Sequence, residues 1–280
     1  MGVFTPPGFG WYRDLPDPRD YTRRHDVVAK LLNDLTPMAE LPSSVDLCEY
    51  CAQATDQGGL ATSSVHACLN LVQYFERRAS GRVMEPSRLF VYRTGRRLLG
   101  WASGDSGLPL RTTLQAITRY GLPPERLWPY DRQLLDVEPD AFVYASGTRI
   151  PDAVFLRLDG RGDRPENSLE TVKRFLGAGF AIVFGFAVCT SVSEDPDVPC
   201  PTVFDGILGG QAVLAVGYDD NRRIRSDRGA LRVMNSWGSS WGDRGFGWVP
   251  YNYIKEQLAV DFWTMIAPHW IMSGDLHRPG

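Results

Sequence analysis

Lysine is scarce in this chain of 280 residues: Lys30, Lys173 and Lys255 are the only three, and arginine carries nearly all the positive charge. Basic and acidic side chains almost balance, 30 against 33, for a formal net charge of −3. No electrostatic footprint therefore favours nucleic acid or an anionic membrane surface. Long hydrophobic runs are missing as well. The longest, Phe175 to Val188, is broken by three glycines, and crossing a bilayer takes about 20 apolar residues. The opening MGVFTPPGFGWYRD has no basic start followed by an apolar core, so it does not read as a secretory signal. Pro6 stands where a myristoylation signal needs Ser or Thr. These absences give the expectation of a cytoplasmic protein with neither a nucleic-acid nor a membrane partner.

Cysteine and histidine are few, five and four. An odd cysteine count without a secretion signal argues against a disulfide framework. Cys48 and Cys51 form a lone CxxC with no second pair and no nearby histidine, which is a poor zinc site. The segment also lacks the strand-to-helix setting of a redox pair. Cys189 and Cys200 either pair across a loop or remain buried thiols. No metal and no cofactor is expected.

What is present is ordinary for a globular protein, 43% apolar and 22% charged. The length allows one large domain or two small ones around a substantial core. Residues 1–42, with DLPDPRDYTRR in the middle, read as an extended arm over a domain surface, with one short helical stretch around Val27 to Leu35. Val65, Cys68, Leu69, Val72 and Phe75 recur at the three-to-four spacing of a helix with one buried face, from Ser63 to Ala79. Further helices are predicted at Pro86–Leu99, Leu110–Tyr120 and Ser168–Gly177, the last capped by Ser168. Strands are predicted at Phe180–Val188, Gln211–Tyr218, Ala230–Met234, Gly247–Val249 and Val260–Ala267. Helices first and strands second give an α+β fold. A helical lobe (about 60–135) faces an antiparallel sheet or barrel lobe (about 150–268) across a cleft, within a domain at 43–270 that precedes a loose tail at 271–280.

Three separated stretches, VDLCEYCAQATDQGGLATSS, GGQAVLAVGYDD and VMNSWGSSWGDRGFGWV, resemble in order and spacing the catalytic segments of the papain-like cysteine peptidases. LPSSVDL and GLPPERLWPYD support the likeness, and GWYRDLPDPRDY is similar to the entry segment of bacterial members. The resemblance covers most of the chain and implies the family's two-lobed fold. In that family a Gln precedes the catalytic Cys by six residues, and counting from Gln57 leads to Ser63. The catalytic His stands between a GG pair and the AVLAVGY strand, a position held here by Gln211. The third member, the Asn of NSWG, is Asn235, followed by the Trp that shields it, Trp237. The resemblance thus implies a site of Gln57, Ser63, Gln211 and Asn235, with Gln57 as the oxyanion-hole glutamine and the Cys–His pair replaced.

Chemistry says what that replacement does. A thiol reacts as a thiolate held by a helix N-terminus and an imidazolium. A serine hydroxyl needs a general base at the moment of attack. The Gln211 carboxamide neither accepts a proton near pH 7 nor donates one to a leaving amine. Losing both members of such a unit removes on the order of 10⁶ in rate, so peptide hydrolysis is expected to be absent. His66, three residues beyond Ser63 and near the same helix face, is either a substitute base or a packed helix histidine. The absence of an evident carboxylate to orient the ring favours packing. Cys68 falls on another face and reads as core.

The main expectation is a non-proteolytic protein binding a peptide or acyl ligand in the inherited cleft. The alternative is a repurposed enzyme of small-molecule metabolism, in which Gln57 and the Ser63 amide polarise a carbonyl for cyclisation, isomerisation or acyl transfer. A serine hydrolase with His66 as base is the third reading. Against all three stands the possibility that these buried polar groups only satisfy one another.

Overall fold

A helix buried around most of its circumference organises the molecule. This helix, α1 (Ser63–Ser80), buries Val65, Ala67, Cys68, Leu69, Leu71, Val72, Tyr74 and Phe75. The predicted single apolar face is too narrow: α1 has the sheet on one side and other helices on the rest, so even Ser64, His66, Asn70 and Gln73 are buried. The computed structural model describes residues 5–272 apart from 7, 16, 24, 27, 30–39, 102 and 161. Most of the helical stretch predicted around Val27 to Leu35, and all but the first two residues of the predicted tail, lie outside the described residues.

The helices α2 (Arg88–Leu98) and α3 (Leu110–Tyr120) pack on α1 and on each other. Ser87 starts α2 by accepting the Phe90 N–H at 3.1 Å, which satisfies one of the donors a helix leaves open at its N-terminus. Two more helices follow, α4 (Ala141–Ala145) and α5 (Pro165–Gly177). The prediction for α5 started too late. Pro165 opens it, with φ already set for the first helical position, and Ser168 is an interior residue rather than a cap. The last two are α6 (Tyr251–Lys255) and α7 (Pro268–Met272). α7 returns to α1, where Trp270 stacks on Phe75 with ring centroids 4.7 Å apart.

Among the described residues nine strands complete the fold: β1 (Trp11–Tyr12), β2 (Ser44–Asp46), β3 (Leu108–Pro109), β4 (Val154–Arg157), β5 (Ile182–Cys189), β6 (Ile207–Ile224), β7 (Asp227–Met234), β8 (Phe246–Pro250) and β9 (Ala259–Ile266). Seven form one sheet in the order β4-β9-β5-β6-β7-β8, with β2 added to β6, and all its pairings are antiparallel. The α+β class holds. β6 runs well past the predicted Gln211–Tyr218 because its polar end forms a hairpin with β7. β4 went unpredicted because four residues offer too little alternation, and pairing with β9 secures it.

The arm does not simply lie over a surface. Gly8–Tyr12 runs between the helical and the sheet elements, and β1 pairs in parallel with β3 (Trp11 opposite Leu108). Gly185 and Gly210 leave room for the Trp11 indole, and Gly209 for the Phe9 ring. At residue 10 only glycine fits: a Cβ there would collide with the Ala61 backbone, and φ is 141°.

Candidate functional site

Three elements bring the predicted site residues together. Ser63 is the first residue of α1, Gln211 lies in β6 opposite Phe186, and Asn235 follows β7 with its N–H donated to the Gly245 carbonyl. Gln57 sits in the loop before α1, and its N–H donates to the Ser236 carbonyl at 2.8 Å. All are sealed from solvent: Gln57, Ser63 and Gln211 are 0% exposed, Asn235 1% and Ser236 2%.

Hydrogen bonding fixes how the carboxamides point. Gln57 Nε2 donates to two backbone carbonyls, Phe9 at 2.7 Å and Leu60 at 2.9 Å, so its Oε1 faces the other way. That oxygen accepts from Gln211 Nε2 at 2.9 Å and from the Ser236 hydroxyl at 2.7 Å. Gln211 Nε2 also donates to Asn235 Oδ1 at 2.8 Å, and the same oxygen accepts the Ser236 N–H at 2.8 Å. Turning Gln57 or Gln211 would set acceptor against acceptor, and turning Asn235 would set donor against donor, so each determines the next. The two remaining amide groups, Gln211 Oε1 and Asn235 Nδ2, are buried without a partner among the described residues.

Ser63 stands beside this chain of amides rather than in it. Its Oγ accepts the backbone N–H of Ala212 at 3.2 Å. The connected chain consists of Gln57, Gln211, Asn235 and Ser236. Sequence reasoning passed over Ser236, although its place inside NSWG was the available signal. Trp237 donates its indole N–H to the Gly8 carbonyl at 3.3 Å and meets Trp241 edge to face at 5.3 Å.

The arm closes the site. Phe9 offers its carbonyl to Gln57, Gly10 donates its N–H to the Gly210 carbonyl at 3.1 Å, and the Gly10 carbonyl accepts the Leu108 N–H at 2.8 Å. Ser64 Oγ adds a contact to Gly10 at 3.3 Å. The backbone groups of an extended peptide are thus met from both sides of the cleft. Nothing in the arm's sequence showed that its own Phe9 and Gly10 would be that peptide.

His66 is not set up as a base toward Ser63. Its Nδ1 is 2.7 Å from Thr55 Oγ1, its ring packs edge to face on Tyr130, and its Nε2 is buried without a partner among the described residues. Burial, with the Arg88 guanidinium adding, pushes its pKa well below the ordinary value, so the ring is neutral. Burial also holds Cys68 as a thiol. All five cysteines are free; Cys48 accepts from Arg232 Nε at 3.1 Å, and burial raises its pKa to about 12. Among the described residues no cluster of His, Cys, Asp and Glu has a metal-binding arrangement, and no helix is long and apolar enough to cross a membrane.

Comparison with known proteins agrees with this architecture. No family model matches the chain. An uncharacterised peptidase C1-like protein of Acanthamoeba polyphaga mimivirus is 32% identical over 274 residues, covering 92% of this chain and 86% of its own. Xylellain, a cysteine protease from Xylella fastidiosa, superposes with a TM-score of 0.75 at 30% identity, covering 95% of this chain and 98% of its own. A procathepsin B of Trypanosoma congolense, at 18% identity and a TM-score of 0.61 over 92% of this chain and 85% of its own, shares the fold.

Proposed function

The chain belongs to the papain-like, C1-like cysteine peptidase family, and we propose that it is a non-proteolytic member whose cleft holds an extended peptide, its own N-terminal arm being the resident one. The observation that supports this reading is the pairing of Gln57 Nε2 with the Phe9 carbonyl. On the family's pattern Ser63 stands for the nucleophile and Gln211 for the base. Gln211 Nε2 makes the hydrogen bond to Asn235 that an imidazole N–H would make, but the group carries no transferable proton. The peptide-binding frame persists without the reacting pair.

The test has two parts. A broad library of fluorogenic peptides incubated with the protein stays intact, and a labelled peptide of the Gly8–Tyr12 sequence, GFGWY, binds saturably. Cleavage that disappears in Ser63→Ala, or no binding at any pH, overturns the reading. The two unpartnered amide groups, Gln211 Oε1 and Asn235 Nδ2, favour a second reading in which a small polar metabolite is bound and turned over. That reading needs the arm to leave, since Gln57 has no amide hydrogen to offer a substrate carbonyl while Phe9 is in place.

A further inference from the structure

Immediately after the groove the arm enters a buried cluster of charge. The Asp14 N–H donates to Asp261 Oδ2 at 2.6 Å. The Asp14 carboxylate accepts the Arg111 N–H at 2.9 Å and its guanidinium at 3.1 Å, and the Asp14 carbonyl accepts from Arg157 at 3.2 Å. Six residues farther on, Asp20 takes two hydrogen bonds of 2.7 Å from the Arg111 guanidinium. Arg157 in turn binds Asp261 at 2.5 Å and Asp159 at 3.1 Å. Asp159 also accepts the N–H groups of Asp261 and Phe262. Trp263 lies across both guanidiniums. Arg13 and Asp163 line a small cavity of about 210 Å³ on the same side.

Four carboxylates thus face two guanidiniums in a space where the Asp261 side chain is 0% exposed, Asp14 4% and Arg157 4%. With every group ionised the cluster carries two uncompensated negative charges, which a water-poor interior resists. One retained proton halves that excess. Two of the four carboxylates, Asp14 and Asp20, belong to the arm; Asp159 and Asp261 belong to the sheet side. Charge excess therefore acts directly between the arm and its seat.

We propose that the arm is a pH-gated occupant of the groove: loss of one proton from this cluster frees it, and the vacated groove takes an extended peptide with glycine between two aromatic residues. The occupant's pattern follows from the seats already described, Phe9 on Gly209, Trp11 on Gly185 and Gly210, and no room for a side chain at Gly10. The proposal rests on the groove being a peptide-holding site and adds what controls it. Burial, helped by Asp14 and Asp159 and opposed by Arg157, raises the Asp261 carboxyl from 3.8 to about 7. A carboxyl whose pKa is higher with the arm seated favours seating at low pH, and this contribution fades as pH rises through about 7.

Hydrogen exchange on the full chain at pH 6 and pH 8, corrected for the intrinsic rate, tests the gate. A single group that titrates near pH 7 with the arm seated makes opening at the Leu108 and Asp14 amides about tenfold more frequent at pH 8 than at pH 6. Amides in the middle of β6 should not change. Asp261→Asn abolishes the difference; asparagine suits the left-handed backbone at this position, where φ is 61°. The GFGWY peptide, which lacks Asp14, binds about tenfold more tightly at pH 8, because its competitor is released. Flat exchange from pH 6 to pH 8, or a pH effect that survives Asp261→Asn, overturns the gate and leaves the peptide groove standing. Exchange that rises without any peptide binding overturns the proposed occupant together with the groove reading.

Discussion

Gln57 Nε2 holds the Phe9 carbonyl at 2.7 Å, so the side chain that the family pattern makes the oxyanion-hole glutamine is bound to a carbonyl of its own chain. The rest of the cleft follows suit. Gly10 bridges Gly210 on one side and Leu108 on the other, and Trp11 lies against glycines of two adjacent strands. A buried polar group finds a partner in a folded protein, and here the arm supplies several.

Ser63 is expected to be inert. Its hydroxyl is fully buried and accepts from Ala212, and the His66 ring is engaged with Thr55. Intact-protein mass spectrometry after treatment with a fluorophosphonate, an epoxysuccinyl peptide and an acyl thioester should show no adduct at this residue. An adduct there would mean that a base operates, with His66 the first to examine.

Restoring a reactive pair should require both positions. Ser63→Cys alone stays inactive on fluorogenic peptides, because one member of such a unit recovers little of a loss on the order of 10⁶. Ser63→Cys with Gln211→His gains cleavage, and adding Trp11→Ala to loosen the arm raises it further. Equal activity of the single and double variants would refute the assignment of Gln211 to the base position.

Gly10→Ala should unseat the arm. The new methyl meets the Ala61 backbone, and φ of 141° is strained for any residue but glycine. A loss of about 1–3 kcal/mol in seating is expected from overpacking and backbone strain. It would be read as faster exchange at the Leu108 amide and a red shift of tryptophan emission. A variant with wild-type protection at Leu108 would show that the arm is held without passing this gap.

His66 should make the fold acid-sensitive. The unfolded histidine takes a proton below about pH 6.5, while the buried ring stays neutral. Stability therefore falls as pH falls, by about 1.4 kcal/mol between pH 7.5 and pH 5.5 for this residue. Urea titrations of wild type and His66→Gln at the two pH values isolate the effect, which the variant should lose. An identical pH response in both proteins would remove His66 as its source.

Much of this could be read before folding was considered. Apolar spacing marks α1, and glycine, aspartate and asparagine turns separate the strands. Gln57, Ser63, Gln211 and Asn235 were picked out by motif alone, and three of the four meet in one network. Ser236 stands inside NSWG, but only the turn after β7 directs its hydroxyl to Gln57. Nothing along the chain marks Asp14, Asp20, Asp159 and Asp261 as one buried cluster, because charge pattern in a sequence does not reveal burial.

The sequence by itself determined what chemistry is available. A carboxamide at 211 and a hydroxyl at 63 hold no proton acceptor of an imidazole's strength, whatever the backbone does around them, whereas His66 is set aside only by its contact with Thr55. Only the tertiary structure decided what the remaining groups bind. Gln57 and Phe9 are 48 residues apart and Asp14 and Asp261 are 247 apart, so these hydrogen bonds exist only once the sheet and α1 have closed around the arm. Local patterns record which faces are apolar, whereas the pairing of distant polar groups depends on which of them water can no longer reach.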